Sequence, residues 1–63
     1  MANPIKVVLV EDSAIALQIL QRLIDSSPEA DVVGTAQDGA EGLKVIARTQ
    51  PDVICTDLQM PRM

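Results

Sequence analysis

Three carboxylates follow two apolar segments of this 63-residue chain. Glu11 and Asp12 come directly after residues 5–10, and Asp57 comes directly after residues 52–56. If the two segments are neighbouring parallel strands, all three acids emerge at one edge of the sheet. Carboxylates that lie close together repel one another, and a divalent cation can neutralise them. Oxygen ligands favour Mg²⁺ or Mn²⁺, and the chain contains no histidine that would favour zinc.

A carboxylate beside such a cation can also act as a nucleophile. Attack on phosphorus would give an aspartyl-phosphate, and the cation would screen the repulsion between the two anions. The simpler interpretation is that Asp57 caps a strand end and that Glu11 and Asp12 cap a helix. The acids occur at two strand ends within one unit of alternating elements, which favours the metal site.

Five alternating elements are predicted to position these acids. The β-branched, almost continuously apolar residues 5–10 are typical of a strand that is buried on both faces. Helices are predicted at 14–25 and 39–49, with a short strand at 31–36 between them and a third strand at 52–56. Pro28 and Pro51 end the helices, and Asp38 with Glu41 matches a capping box before the second helix. The order βαβαβ predicts an α/β fold with a parallel sheet.

Apolar spacing predicts which residues these elements bury. The stripe expected on the first helix consists of Ala16, Ile19, Leu20, Leu23 and Ile24. The second helix is expected to bury Leu43, Ile46 and Ala47. Cys55 is expected to be a small buried hydrophobe in the third strand.

Composition excludes several classes of function. The length allows one domain at most, and 48% of the residues are hydrophobic although none is aromatic. The net charge is −4 and the five cationic residues are scattered, which disfavours nucleic-acid binding. A single cysteine indicates a reducing compartment, and no apolar run approaches the length of a membrane span. These features together predict a soluble cytoplasmic protein that has no membrane partner.

Three segments carry a resemblance to a known family. They are Val-Leu-Val-Glu-Asp-Ser (8–13), Gly-Thr-Ala-Gln-Asp-Gly-Ala-Glu-Gly-Leu (34–43) and Pro-Asp-Val-Ile-Cys-Thr-Asp-Leu-Gln-Met-Pro-Arg-Met (51–63). With them the chain resembles the first half of a response-regulator receiver domain, most of all the receivers of chemotaxis protein-glutamate methylesterases. The resemblance implies a flavodoxin-like, doubly wound parallel sheet with strand order 2-1-3 for the strands present.

The resemblance also implies roles for individual residues. Asp57 matches the phosphoacceptor, which takes a phosphoryl group from a histidine kinase. Asp12 matches the acid that ligates Mg²⁺ directly, and Glu11 matches the partner acid that reaches the metal through water. Gln59 matches the residue whose backbone carbonyl completes the protein ligands. Glutamate at position 11, where the family more often has aspartate, is a mild departure.

The resemblance predicts that residues 1–63 form a partial receiver with three strands and two helices. The family's phosphate-sensing Ser or Thr and its Lys would lie beyond Met63, so phosphoryl transfer by this chain is expected to be impaired. The chain is not itself predicted to be an enzyme, because the esterase domain of such a methylesterase is absent. The alternative is a non-catalytic half-domain that forms dimers.

Dimerisation is predicted from the third strand. With no further strands beside it, the residues Val53, Ile54 and Cys55 would lie on an open edge that no Pro, Lys or bulge protects. Two such edges would pair antiparallel in a homodimer with a continuous six-stranded sheet.

Two other functions fit poorly. Aspartyl-nucleophile phosphatases place a second Asp two residues after the nucleophile, where this chain has Gln59. A dinucleotide-binding domain would need glycines between the first strand and its helix, where this chain has Glu11 and Asp12.

Overall fold

Three parallel strands and two helices alternate along residues 3–56, the part of the chain that this computed structural model describes. The elements are β1 (Ile5–Val10), α1 (Ala14–Asp25), β2 (Ala30–Ala36), α2 (Gly39–Thr49) and β3 (Val53–Thr56). The sheet order is β2-β1-β3, with both pairings parallel. The predicted α/β class, the element order and the strand order are therefore confirmed. Neither helix in this part of the chain is long and apolar enough to cross a membrane.

The central strand β1 is the most deeply buried element. Val8 and Leu9 are fully buried, because β1 is paired on both edges and covered on both faces. On one face Val8 and Val10 pack with Ala36 of β2 and Val45 of α2. Side chains alternate along a strand, so Val7 and Leu9 point to the other face, where α1 lies against β1 and β2. The result is a sheet between two helices.

Helix α1 packs with a face different from the predicted one. Ile19 and Leu23 are exposed, by 55% and 64%, and Ile15 beside them is exposed too. Leu17, Leu20 and Ile24 are half-buried instead, and no residue of α1 is fully buried. The prediction was wrong for Ile19 and Leu23, because apolar residues cover more of the helix surface than contacts the sheet.

Helix α2 buries its smallest residues. Gly39, Gly42 and Val45 are buried, Ile46 is half-buried, and the predicted core residues Leu43 and Ala47 are exposed. A methyl group on Gly42 would lie only 3.1 Å from Cγ2 of Val10. The prediction was wrong for Leu43 and Ala47, because a glycine face lets the helix approach β1 more closely than a leucine face could.

Strand β3 contacts β1 and neither helix. Its residues Val53, Ile54 and Cys55 are all exposed, the first two by 45% and 44%. The prediction that Cys55 is buried was therefore wrong: an edge strand without a covering helix leaves even an apolar residue in water.

A bulge in β2 brings Gly34 under helix α2. Val7 pairs with Val32, but Val8 pairs with Gly34, so Val33 is an extra residue in the strand. A methyl group on Gly34 would overlap Cγ1 of Val45. Gly34 is therefore the point at which α2 and the sheet are in closest contact.

We predict that Gly34→Ala lowers the free energy of unfolding by about 1–3 kcal/mol, because the new methyl group overpacks the core at Val45. Urea unfolding followed by circular dichroism measures this, since the chain has no aromatic residue to serve as a fluorescence probe. The double variant Gly34→Ala/Val45→Ala is the control. Relief of the overlap should make its loss smaller than the sum of the two single losses, and simple additivity would contradict the explanation.

Candidate functional site

The pairing of β1 with β3 sets the position of the acidic site. Val10, the last residue of β1, is in register with Thr56, the last residue of β3. Because the strands are parallel, Glu11 and Asp12 leave the sheet at the edge where β3 also ends. Asp57 is the next residue after Thr56 in the sequence, but Asp57 and Gln59 lie outside the described residues.

Glu11 is held by its backbone and by its side chain. Its N–H donates to the carbonyl of Ala36 at 3.0 Å, which extends the pairing of β1 with β2 by one residue. Its Oε1 accepts from the N–H of Ser13 at 3.2 Å, and the residue is half-buried. Part of the acceptor capacity of Glu11 is thus already engaged at the start of α1.

Asp12 is exposed, and its carboxylate accepts no hydrogen bond from residues 3–56. It lies one residue before the cap of α1, where the helix dipole favours negative charge. Both of its oxygens are available to a cation, whereas one oxygen of Glu11 already accepts a hydrogen bond. This difference fits a hard cation that takes Asp12 directly and Glu11 through water. Among the described residues alone, no three acidic, cysteine or histidine side chains come together as a metal site.

Two positioning residues were missed by the sequence analysis. Ser13 is the N-cap of α1, and its Oγ accepts from the N–H of Ala16 at 3.3 Å. A serine just before a helical apolar pattern was the signal for that cap. Asp52 joins the start of β3 to β1, and no sequence rule predicts its partner, which is 46 residues away.

Asp52 makes both of its contacts with Lys6. Its N–H donates to the carbonyl of Lys6 at 2.9 Å, and its Oδ2 accepts from the N–H of Lys6 at 2.9 Å. These two hydrogen bonds fix the register of β3 at the end of the sheet remote from the acids. They therefore help to determine which residues end the strand beside Glu11 and Asp12.

Neither lysine of the chain lies near the acids. Lys6 is in the first turn of β1, at the opposite end of the sheet, where it lines a groove of about 440 Å³ with Asp31 and Thr49. Lys44 is exposed on α2. No lysine from this chain is thus placed to neutralise a phosphoryl group at the acidic end.

Comparison with known proteins identifies a family. Residues 7–63 match the sequence profile of the response regulator receiver domain. Two similar curated proteins are protein-glutamate methylesterase/protein-glutamine glutaminases. The one from Symbiobacterium thermophilum is 47% identical over 97% of this chain, and the one from Pyrococcus horikoshii is 43% identical over 100%. The chain spans only 17% of the length of each.

Solved structures show the same fold. The response regulator domain of Thermotoga maritima CheB superimposes with a TM-score of 0.88 at 41% identity, over 97% of this chain and 46% of that one. A chain from the complex of the CheA3 P1 domain with CheY6 from R. sphaeroides gives 0.86 at 34% identity, over 98% and 49%. The chain thus spans about half the length of these structural relatives.

We predict that Ser13→Ala costs about 1 kcal/mol of stability, because it leaves the first turn of α1 without its side-chain acceptor. Asp38→Ala, which removes the equivalent cap from α2, is the matched control and should cost a similar amount. Urea unfolding followed by circular dichroism measures both. A cost for Ser13→Ala far below that of Asp38→Ala would show that Glu11 rather than Ser13 maintains this helix start.

Proposed function

Because the chain belongs to the response-regulator receiver family, we propose that it is a phosphoacceptor module in two-component signalling. In this proposal Asp57 accepts a phosphoryl group from the phosphohistidine of a histidine kinase. The module itself has no catalytic domain for ester hydrolysis; the methylesterase names belong to much longer relatives. Its acceptance of a phosphoryl group is a reaction of one carboxylate, assisted by its neighbours.

The observation that carries the proposal is the in-register end of β1 and β3. Val10 and Thr56 are paired neighbours, and each is followed directly in the sequence by an acid, Glu11 or Asp57. A parallel sheet presents its ligand-binding groups at the carboxyl ends of its strands. The exposed, unpartnered carboxylate of Asp12 beside this end supports a cation site.

The proposed ligands of Mg²⁺ are Asp12, Asp57 and the backbone carbonyl of Gln59, with Glu11 bound through water. Mn²⁺ has the same preference for oxygen and is expected to replace it. When bound, the cation supplies positive charge that offsets the repulsion between the carboxylate and the phosphoryl oxygens. The hydrogen bond from Ser13 to Glu11 keeps that carboxylate at the start of α1, which supports its assignment to the outer position.

The proposed transfer needs no proton to leave the acceptor, because a carboxylate is already the nucleophile. An oxygen of Asp57 forms a bond to phosphorus as the phosphorus–nitrogen bond of the phosphohistidine breaks, and the imidazole leaves with that electron pair. Since Lys6 and Lys44 are both remote from the acids, the chain provides no ammonium group for the transferring phosphoryl. We therefore expect transfer to be slower than in a complete receiver by about 10²–10³-fold.

The proposed partner is a histidine kinase, and the proposed setting is chemotaxis in the cytoplasm. Support for the partner comes from the structural relative that forms a complex with the CheA3 P1 domain. Support for the setting comes from the methylesterases that share up to 49% identity with this chain. In the protein that contains such a module, phosphorylation of Asp57 would control the methylesterase.

The cation site is tested by titration with Mn²⁺. Paramagnetic broadening of amide resonances should begin at Glu11, Asp12 and Ser13, and Asp12→Ala should weaken it strongly because a direct ligand is lost. Asp31→Ala is the matched control, since Asp31 is an exposed acid near the other end of the sheet, and it should leave the broadening unchanged. Equal broadening in Asp12→Ala and in the unmodified chain would contradict the assignment.

The phosphoacceptor is tested by incubation with acetyl phosphate and Mg²⁺, followed by intact mass measurement. A slow gain of one phosphoryl group is expected in the unmodified chain and in Asp31→Asn, and none in Asp57→Asn. Labelling of Asp57→Asn would refute the assignment of the acceptor. Complete absence of labelling in every variant would favour the alternative, a non-catalytic half-domain, and labelling as fast as in a complete receiver would refute the expected impairment.

A further inference from the structure

Strand β3 presents an uncovered edge as well as two uncovered faces. It pairs only with β1, and neither helix contacts it among the described residues. Its residues are nonetheless those of a buried strand, with Val53, Ile54 and Cys55 in succession. The equivalent residues of β1, Val7, Val8 and Leu9, are at most 5% exposed. An edge strand of this composition is a template for pairing with another strand.

The hydrogen bonds at the start of β3 show which backbone groups face outward. The N–H of Asp52 donates to the carbonyl of Lys6, so residue 52 directs its backbone toward β1. Backbone direction alternates along a strand, and residue 54 therefore also faces β1. Val53 and Cys55 direct their N–H and C=O groups away from β1, toward the open edge.

We propose that two copies of this chain pair through β3, antiparallel, about a two-fold axis that passes beside Ile54. Val53 would lie opposite the partner's Cys55, and Cys55 opposite the partner's Val53. Each of these pairs exchanges two hydrogen bonds, because both members face outward. The two Ile54 side chains would meet at the axis as a close, non-hydrogen-bonded pair. A continuous sheet would run from β2 of one copy to β2 of the other.

The register centred on Ile54 satisfies every outward N–H and C=O of β3 within β3 itself. Opposite residues must face the same way, so the axis can move only to Val53 or to Cys55. An axis at Val53 would pair Cys55 with Pro51, which has no N–H to donate. An axis at Cys55 would pair Val53 with residue 57, beyond the end of the strand.

Charge favours the antiparallel arrangement and a second copy as the occupant. Each copy has a net charge of −4, and Glu11 and Asp12 lie at the carboxyl end of its sheet. Antiparallel pairing places the two acidic ends at opposite ends of the shared sheet, whereas a parallel partner strand would bring them side by side. The contact itself contains no charged residue, because the four residues of β3 are Val, Ile, Cys and Thr.

Disulfide cross-linking tests the register. In Ile54→Cys/Cys55→Ser the two new thiols would meet at the axis with Cα atoms about 4.5 Å apart, within the range of a disulfide. We expect most of this variant to become a covalent dimer under mild oxidation, as seen by non-reducing electrophoresis. In the unmodified chain the two Cys55 residues lie about 7 Å out of step along the strands and should cross-link poorly.

Sedimentation at micromolar concentration tests the surface. Ile54→Lys should dissociate the dimer, whereas Ile19→Lys, a matched change at a similarly exposed isoleucine on α1, should not. Val53→Pro removes only an outward N–H and leaves the hydrogen bonds of residues 52 and 54 to β1 in place. It should raise the dissociation constant at least about tenfold, since two hydrogen bonds are lost per dimer, while circular dichroism remains that of a folded chain.

A folded monomer in the unmodified chain would overturn the proposal. So would a dimer that Ile19→Lys dissociates and Val53→Pro does not, because the α1 surface would then be the contact. Efficient cross-linking of Cys55 in the unmodified chain, with none in Ile54→Cys/Cys55→Ser, would overturn the register. A variant that unfolds on substitution is decided by the cross-linking result, which needs no loss of contact.

Discussion

Hydrogen bonding between β1 and β3 determines both the acidic end of the sheet and its open edge. The pairing begins at Lys6 and Asp52, which exchange a backbone bond and a side-chain bond, and it ends at Val10 and Thr56. A slip of one residue would turn every side chain of β3 to the opposite face and would displace the strand end from Glu11. The 46-residue separation of Lys6 and Asp52 makes this contact depend on the rest of the fold.

The rest of the fold supplies that support with small aliphatic residues. Valines and alanine fill the space between the sheet and α2, and the glycines at 34 and 42 allow the helix to approach. Such a core is thin, and α1 adds no fully buried residue to it. In a chain of this size the fraction of surface that folding removes from water is small. The central strand, buried from Val7 to Val10, therefore contributes a large share of the stability.

The sequence predicted the elements better than their contacts. Alternating apolar runs and the stops at Pro28 and Pro51 located all five elements to within one residue, because these signals are local. The inward faces of the helices were predicted less well. Leu43 is more hydrophobic than Gly42, yet Gly42 is buried, since close approach to Val10 depends on the neighbouring strand and not on hydropathy. The Glu11–Ser13 bond and the Asp52–Lys6 bond likewise depend on backbone geometry that residue types do not specify. Asp57 and Gln59 remain predictions from the sequence and its resemblance.

The bulge at Val33 has a consequence for how the length of this chain can vary. Val32 and Val33 are identical neighbours, and only one of them is needed to pair with Val7. Removal of one valine would leave six residues in β2 opposite the six of β1, and every other side chain would keep its face. A deletion anywhere else in either strand would reverse the side chains that follow it. Related sequences that differ in length within this sheet should therefore differ at the paired valines.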